Sequence, residues 1–85
     1  AFGALNAARS LGLAVPDDLT VIGFDDVAMA SWDVLDLTTV LCDRDELAAE
    51  AVDLITRAIR GLRVGPQVRV PVELVLRGTH GPPPA

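Results

Sequence analysis

The chain has 85 residues, 51% of them apolar, and a formal net charge of −5. Cys42 is the only cysteine and His80 the only histidine, which excludes an internal disulfide and a Cys/His zinc site. All seven basic residues are arginine, with no basic run, which argues against electrostatic binding of nucleic acid by this chain alone.

A chain this short buries only about 60–65% of its unfolded surface. Small chains usually compensate with disulfides or metals. Ample apolar material without such staples points to a core completed by something outside these residues. The opening Ala1-Phe2-Gly3-Ala4-Leu5 is already helical in pattern, and no Ser, Thr, Asp or Asn precedes Phe2 as a cap. That reads as a piece of a longer chain; maturation after a signal peptide is the alternative. No apolar run approaches a membrane span, and no secretory signal is present.

The first predicted element is a helix over Phe2–Leu11, with Phe2, Leu5, Ala8 and Leu11 at helical spacing and Gly12 placed to end it. Val15-Pro16-Asp17-Asp18 follows as a turn. Leu19–Phe24 (LTVIGF) is β-branched and nearly continuously apolar, the pattern of a parallel strand buried on both faces. Helix, short loop and buried strand in succession predict α/β architecture. Asp26–Val34 is expected to hold a short helix, with Asp26 as cap and Trp32 partly buried. Leu37–Leu41 (LTTVL) reads as a short strand.

Asp43-x-x-Glu46 opens the longest predicted helix as a capping-box variant. Its apolar stripe is Leu47, Ala51, Leu54, Ile55, Ala58, Ile59 and Leu62. Acidic residues lie early and arginines late, matching the helix dipole, and Asp53 and Arg57 form an i,i+4 pair. Gly61 or Gly65 ends it. Gln67–Arg77 alternates with period two, with Pro71 marking an edge, a bulge or a break. Gly78–Ala85 carries no core residue and is expected to be a disordered tail, so the predicted domain covers residues 1–77.

Few residues suggest chemistry. Asp25 follows the carboxyl end of the predicted buried strand, where ligands bind in open α/β sheets. The competing reading is that Asp25 or Asp26 simply caps the next helix. Adjacent carboxylates on a strand diverge, so they do not make a convergent acid/base pair. Ser10 and Ser31 have no histidine base, there is no glycine-rich phosphate loop, and Cys42 fits a small apolar residue better than a nucleophile. Thr38 and Thr39 are either hydroxyl donors to a ligand or simply good strand formers. No enzymatic activity, metal or cofactor is expected.

Five segments then stand in a familiar order: Ala4-Leu5-Asn6-Ala7-Ala8-Arg9, Gly12-Leu13, Val15-Pro16-Asp17-Asp18, Val21-Ile22-Gly23-Phe24-Asp25-Asp26 and Leu37-Thr38-Thr39-Val40. Together they resemble the carboxyl-terminal third of the effector-binding domain of the lactose/galactose repressor (LacI/GalR) family, over nearly the whole chain. The resemblance implies a bacterial transcriptional regulator, cytoplasmic and homodimeric. Its operator DNA would be bound only by an amino-terminal helix-turn-helix absent from these residues. The implied fold class is α/β, a fragment of a type I periplasmic-binding-protein-like fold, a doubly wound parallel sheet in two lobes. A sugar or nucleoside-like effector binds between the lobes, and its binding changes their closure.

By this resemblance Asp25 is an effector contact. Cys42 falls where members often carry a polar contact, commonly glutamine, and cysteine departs from that pattern. Arg44 lies in a neighbouring variable ligand-binding position. Leu35-Asp36 replaces the usual proline-containing turn before Leu-Thr-Thr. Phe2 and the Met29–Asp33 segment match surfaces that pair subunits. A sugar-binding protein of a transport system shares the fold and is the alternative; a small α/β enzyme or purely structural domain is the third reading.

Overall fold

The computed structural model describes residues 1–65 and 67–84. Helix α1 spans Phe2–Ser10. It ends as its glycine dictates: Gly12 sits at φ 73°, its N–H reaches the Arg9 carbonyl at 3.1 Å, and the Leu13 N–H reaches the Ala8 carbonyl at 2.9 Å. This paired closure satisfies carbonyls that the helix leaves free. The next turn is held by Asp18, whose carboxylate accepts from the Ala14 N–H at 2.8 Å.

Strand β1 is Ile22–Phe24, half the length that the apolar run predicts. The preceding residues bond elsewhere. Leu19 donates to the Ala14 carbonyl, the Thr20 hydroxyl exchanges bonds with Gly81, and the Val21 N–H donates to the Thr79 carbonyl. β1 is an edge strand of a three-stranded sheet in the order β1-β2-β3, and it pairs in parallel with β2 (Thr38–Cys42) in the register Ile22–Thr38, Gly23–Thr39 and Phe24–Val40. Burial on both faces is not realised. Ile22 and Phe24 are 53% and 61% exposed, because none of the described residues covers that face.

The opposite face builds the core. Val21, Ala30 and Leu37 are buried together, with Phe2, Leu5 and Val15 packed against them. Gly23 packs closely there. A Cβ at this position would lie 2.8 Å from Leu37 Cδ2, so the Leu37 side chain would have to shift. Ala30 belongs to a 3-10 helix over Ala28–Ser31, the short helix expected after Asp26. Its cap is Val27, without a side-chain bond, so the expected capping role of Asp26 is not seen. Trp32 ends this turn more than half exposed.

Residues Ala1–Leu41 and Glu73–Ala85 form one unit, and Cys42–Val72 a second. The second is dominated by α2, Arg44–Ile59. Asp43 caps it, its carboxylate accepting from the N–H groups of Asp45 and Glu46 at 3.0 and 3.2 Å. Gly61, at φ 73°, ends it with the same closure as Gly12: Gly61 to the Ala58 carbonyl and Leu62 to the Arg57 carbonyl. No residue of α2 is buried, so the predicted apolar stripe lies open within this chain. Strand β3 is Val72–Val75; it begins just after Pro71, which has no N–H to give to a ladder.

The expected disordered tail is corrected at its start. Gly78 donates to the Asp36 carbonyl, Thr79 is buried, and Gly81 bonds Thr20. The segment lacks core residues but is held by hydrogen bonds, which hydrophobic patterning does not detect. The last residue of that expected tail, Ala85, lies outside the described residues.

Candidate functional site

The chain turns sharply where β1 ends. Asp25 and Asp26 lie at φ 85° and 44°, consecutive non-glycine residues in the left-handed region. Each such residue costs about 1–2 kcal/mol, least for Asp and Asn. The turn persists because its amides are used: Asp25 N–H donates to the Val40 carbonyl at 2.8 Å and Asp26 N–H to Thr39 Oγ1 at 3.3 Å. Strained backbone of this kind gathers at ligand sites.

The two carboxylates then part company. Asp25 is exposed, at the carboxyl end of a parallel strand. Asp26 is largely buried and lies 2.7 Å from an Arg77 guanidinium nitrogen, with side-chain exposures of 18% and 17%. A paired, buried carboxylate is committed to structure; an exposed one beside it is free to accept hydrogen bonds from ligand hydroxyls or N–H groups.

Arg77 gathers several segments. The same nitrogen donates to the Leu37 carbonyl at 2.9 Å, and its backbone N–H donates to Thr38 Oγ1 at 2.9 Å. Thr38 is fully buried, and its hydroxyl also lies 2.7 Å from His80 Nδ1. Its N–H donates to Thr79 Oγ1, which in turn donates to the Val21 carbonyl at 2.6 Å. Among the described residues, no buried side-chain polar atom lacks a partner. Thr38 and Thr39 therefore spend their hydroxyls inside the fold. Arg77, Thr79 and His80 were not legible as site residues. Arg77 is 51 positions from Asp26, and its place in a period-two pattern marks it only as a polar residue.

The other predicted residues lie apart from this turn in sequence. Cys42 ends β2 as a free, half-buried thiol, and Arg44 opens α2, exposed. Both belong to the second unit. Phe2 and Asp33 line one groove of about 520 Å³ beside α1, together with Leu5, Arg9 and Leu35. Met29 lies on the 3-10 helix and is 40% exposed. Among the described residues there is no cluster of three potential metal ligands, and no helix long and apolar enough to cross a membrane.

Comparison with known proteins places this architecture. Residues 1–80 match the model of the periplasmic binding protein-like domain. The HTH-type transcriptional repressor CytR of Escherichia coli is 39% identical over 80 residues, covering 93% of this chain and 24% of that protein. The HTH-type transcriptional regulator DegA of Bacillus subtilis is 41% identical over 83 residues, covering 96% and 25%. The chain thus spans about a quarter of the length of these curated relatives. The crystal structure of a LacI-family transcriptional regulatory protein from Corynebacterium glutamicum superimposes with a TM-score of 0.70 at 33% identity, covering 98% of this chain and 32% of that one. The parallel pairing of β1 with β2 and these matches agree: the chain belongs to the periplasmic binding protein-like domain family.

Proposed function

We propose that the chain is part of the effector-sensing and dimerisation region of a cytoplasmic, homodimeric regulator that binds a small sugar-like ligand between two lobes. The observation that carries this is the division of labour at Asp25-Asp26. Arg77 occupies Asp26 and leaves Asp25 exposed at a strand end in a left-handed turn. Asp25 accepts hydrogen bonds from vicinal hydroxyls of the effector, and Cys42 and Arg44 supply further contacts. Phe2, Met29 and Asp33 lie in the subunit interface. Operator DNA is bound by an amino-terminal helix-turn-helix outside these residues. A transporter's sugar-binding protein shares the fold; the relatives named as HTH-type regulators favour the regulator.

Titration calorimetry of the full-length protein with D-ribose, D-galactose and adenosine tests this, with Asp25→Ala beside the wild type. Charge-assisted hydrogen bonds contribute about 1.5–3 kcal/mol each, so the variant loses roughly tenfold or more in affinity. Unchanged affinity removes Asp25 from the site. A wild type that binds none of the three excludes these three as effectors.

A further inference from the structure

We propose that Arg77 is a positioning residue for the ligand-binding carboxylate: its bridge from Asp26 to the Leu37 carbonyl locks the left-handed turn that presents Asp25. This rests on the reading of Asp25 as the effector contact.

Three observations carry the inference. First, the turn is strained at two successive residues, φ 85° and 44°, and a strained conformation persists only where its surroundings fix it. Second, one guanidinium nitrogen of Arg77 holds Asp26 Oδ1 at 2.7 Å and the Leu37 carbonyl at 2.9 Å, so the turn is tied to the start of β2. Third, Arg77 is itself fixed, through its N–H to the buried Thr38 hydroxyl, which His80 Nδ1 meets at 2.7 Å. The bridge also neutralises Asp26. Without it, two adjacent carboxylates repel and compete for the same ligand hydroxyls, and Asp26 loses the reason to stay turned inward. Arginine suits this role better than lysine, because its two N–H groups on one planar nitrogen point in fixed directions, one to each acceptor.

The test uses the full-length protein carrying Arg77→Met, Arg77→Lys, Asp26→Asn or Asp25→Ala. Hydrogen–deuterium exchange of the Asp25 and Asp26 amides is read against the amides of α2. Arg77→Met is expected to speed exchange at the turn by roughly tenfold or more while α2 is unchanged, with Arg77→Lys intermediate. A turn released from Arg77 no longer holds the Asp25 carboxylate in one place. Affinity for whichever of D-ribose, D-galactose and adenosine binds should therefore fall in Arg77→Met and, less, in Asp26→Asn. Should Arg77→Met fail to fold, Arg77→Lys and the near-isosteric Asp26→Asn carry both readouts. Exchange at the turn that does not change in any variant of Arg77 or Asp26 overturns the inference, whether or not a probe binds. Affinity lost in Asp25→Ala but kept in Arg77→Met and Asp26→Asn overturns it while leaving the site intact. Affinity kept in Asp25→Ala overturns the reading on which it rests.

Discussion

The turn at Asp25-Asp26 and the helix α2 are stabilised in opposite ways. At the turn, bonds run from Asp26 to Arg77, from Thr38 to His80 and from Val21 to Thr79, all between segments distant in sequence. In α2, the Asp43 cap, the Gly61 closure and the Asp53–Arg57 pair at 3.6 Å all join residues within a few positions of one another, and no side chain of the helix is buried. Local bonds define where a helix begins and ends. They bury no side chain of the helix against a neighbour. A turn held from several directions keeps one conformation, even a strained one. Such rigidity is what a binding carboxylate needs.

Mutations should separate the two regimes, and the largest effect belongs to the core beneath the turn. Leu37→Ala removes a buried side chain packed against Val21 and Ala30, and should lower unfolding free energy by about 3 kcal/mol in urea titration. A loss below about 1 kcal/mol would mean that this core does not support the sheet. Asp26→Ala leaves Arg77 without its carboxylate; the pair keeps some solvent access, so about 2 kcal/mol is expected, between the costs of breaking exposed and buried pairs. Thr38→Val keeps the shape but orphans the Arg77 N–H and the His80 bond. It should cost about 1–2 kcal/mol, and a neutral result would show that the hydroxyl network is incidental.

The helix should respond less. Asp43→Ala should cost about 1 kcal/mol and fray the first turn of α2, seen as faster amide exchange at Asp45 and Glu46 with no change at Asp25. Asp53→Ala breaks an exposed pair and should change stability by less than about 0.5 kcal/mol. A larger loss there would place α2 in the same regime as the turn.

This contrast also explains what was legible from the residues alone. The features of α2 are written in adjacent residues: Asp43 announces its start and Gly61 or Gly65 its end, and the structure uses Asp43 and Gly61. Gly12 and Pro71 mark the ends of α1 and the start of β3 for similar reasons. The exposed Asp25 at a strand end was legible from the strand pattern. The role of Asp26 was not. Its partner lies 51 residues away, and a carboxylate before a short helix looks locally like a cap. Gly78–Gly81 look like tail in the sequence for the same reason, since hydrogen bonds to Asp36, Val21 and Thr20 leave no hydrophobic trace. The strand is shorter than the apolar run Leu19–Phe24, because apolar composition does not reveal that Leu19, Thr20 and Val21 bond outside the ladder.

The central claim is that two adjacent carboxylates do different work, one binding and one holding. The most direct test measures affinity and melting temperature together for Asp25→Asn and Asp26→Asn in the full-length protein, using whichever of D-ribose, D-galactose and adenosine the wild type binds. Asp25→Asn should lose affinity roughly tenfold with its melting temperature unchanged, whereas Asp26→Asn should melt several degrees lower. An Asp25→Asn protein that melts early and binds normally would contradict the account.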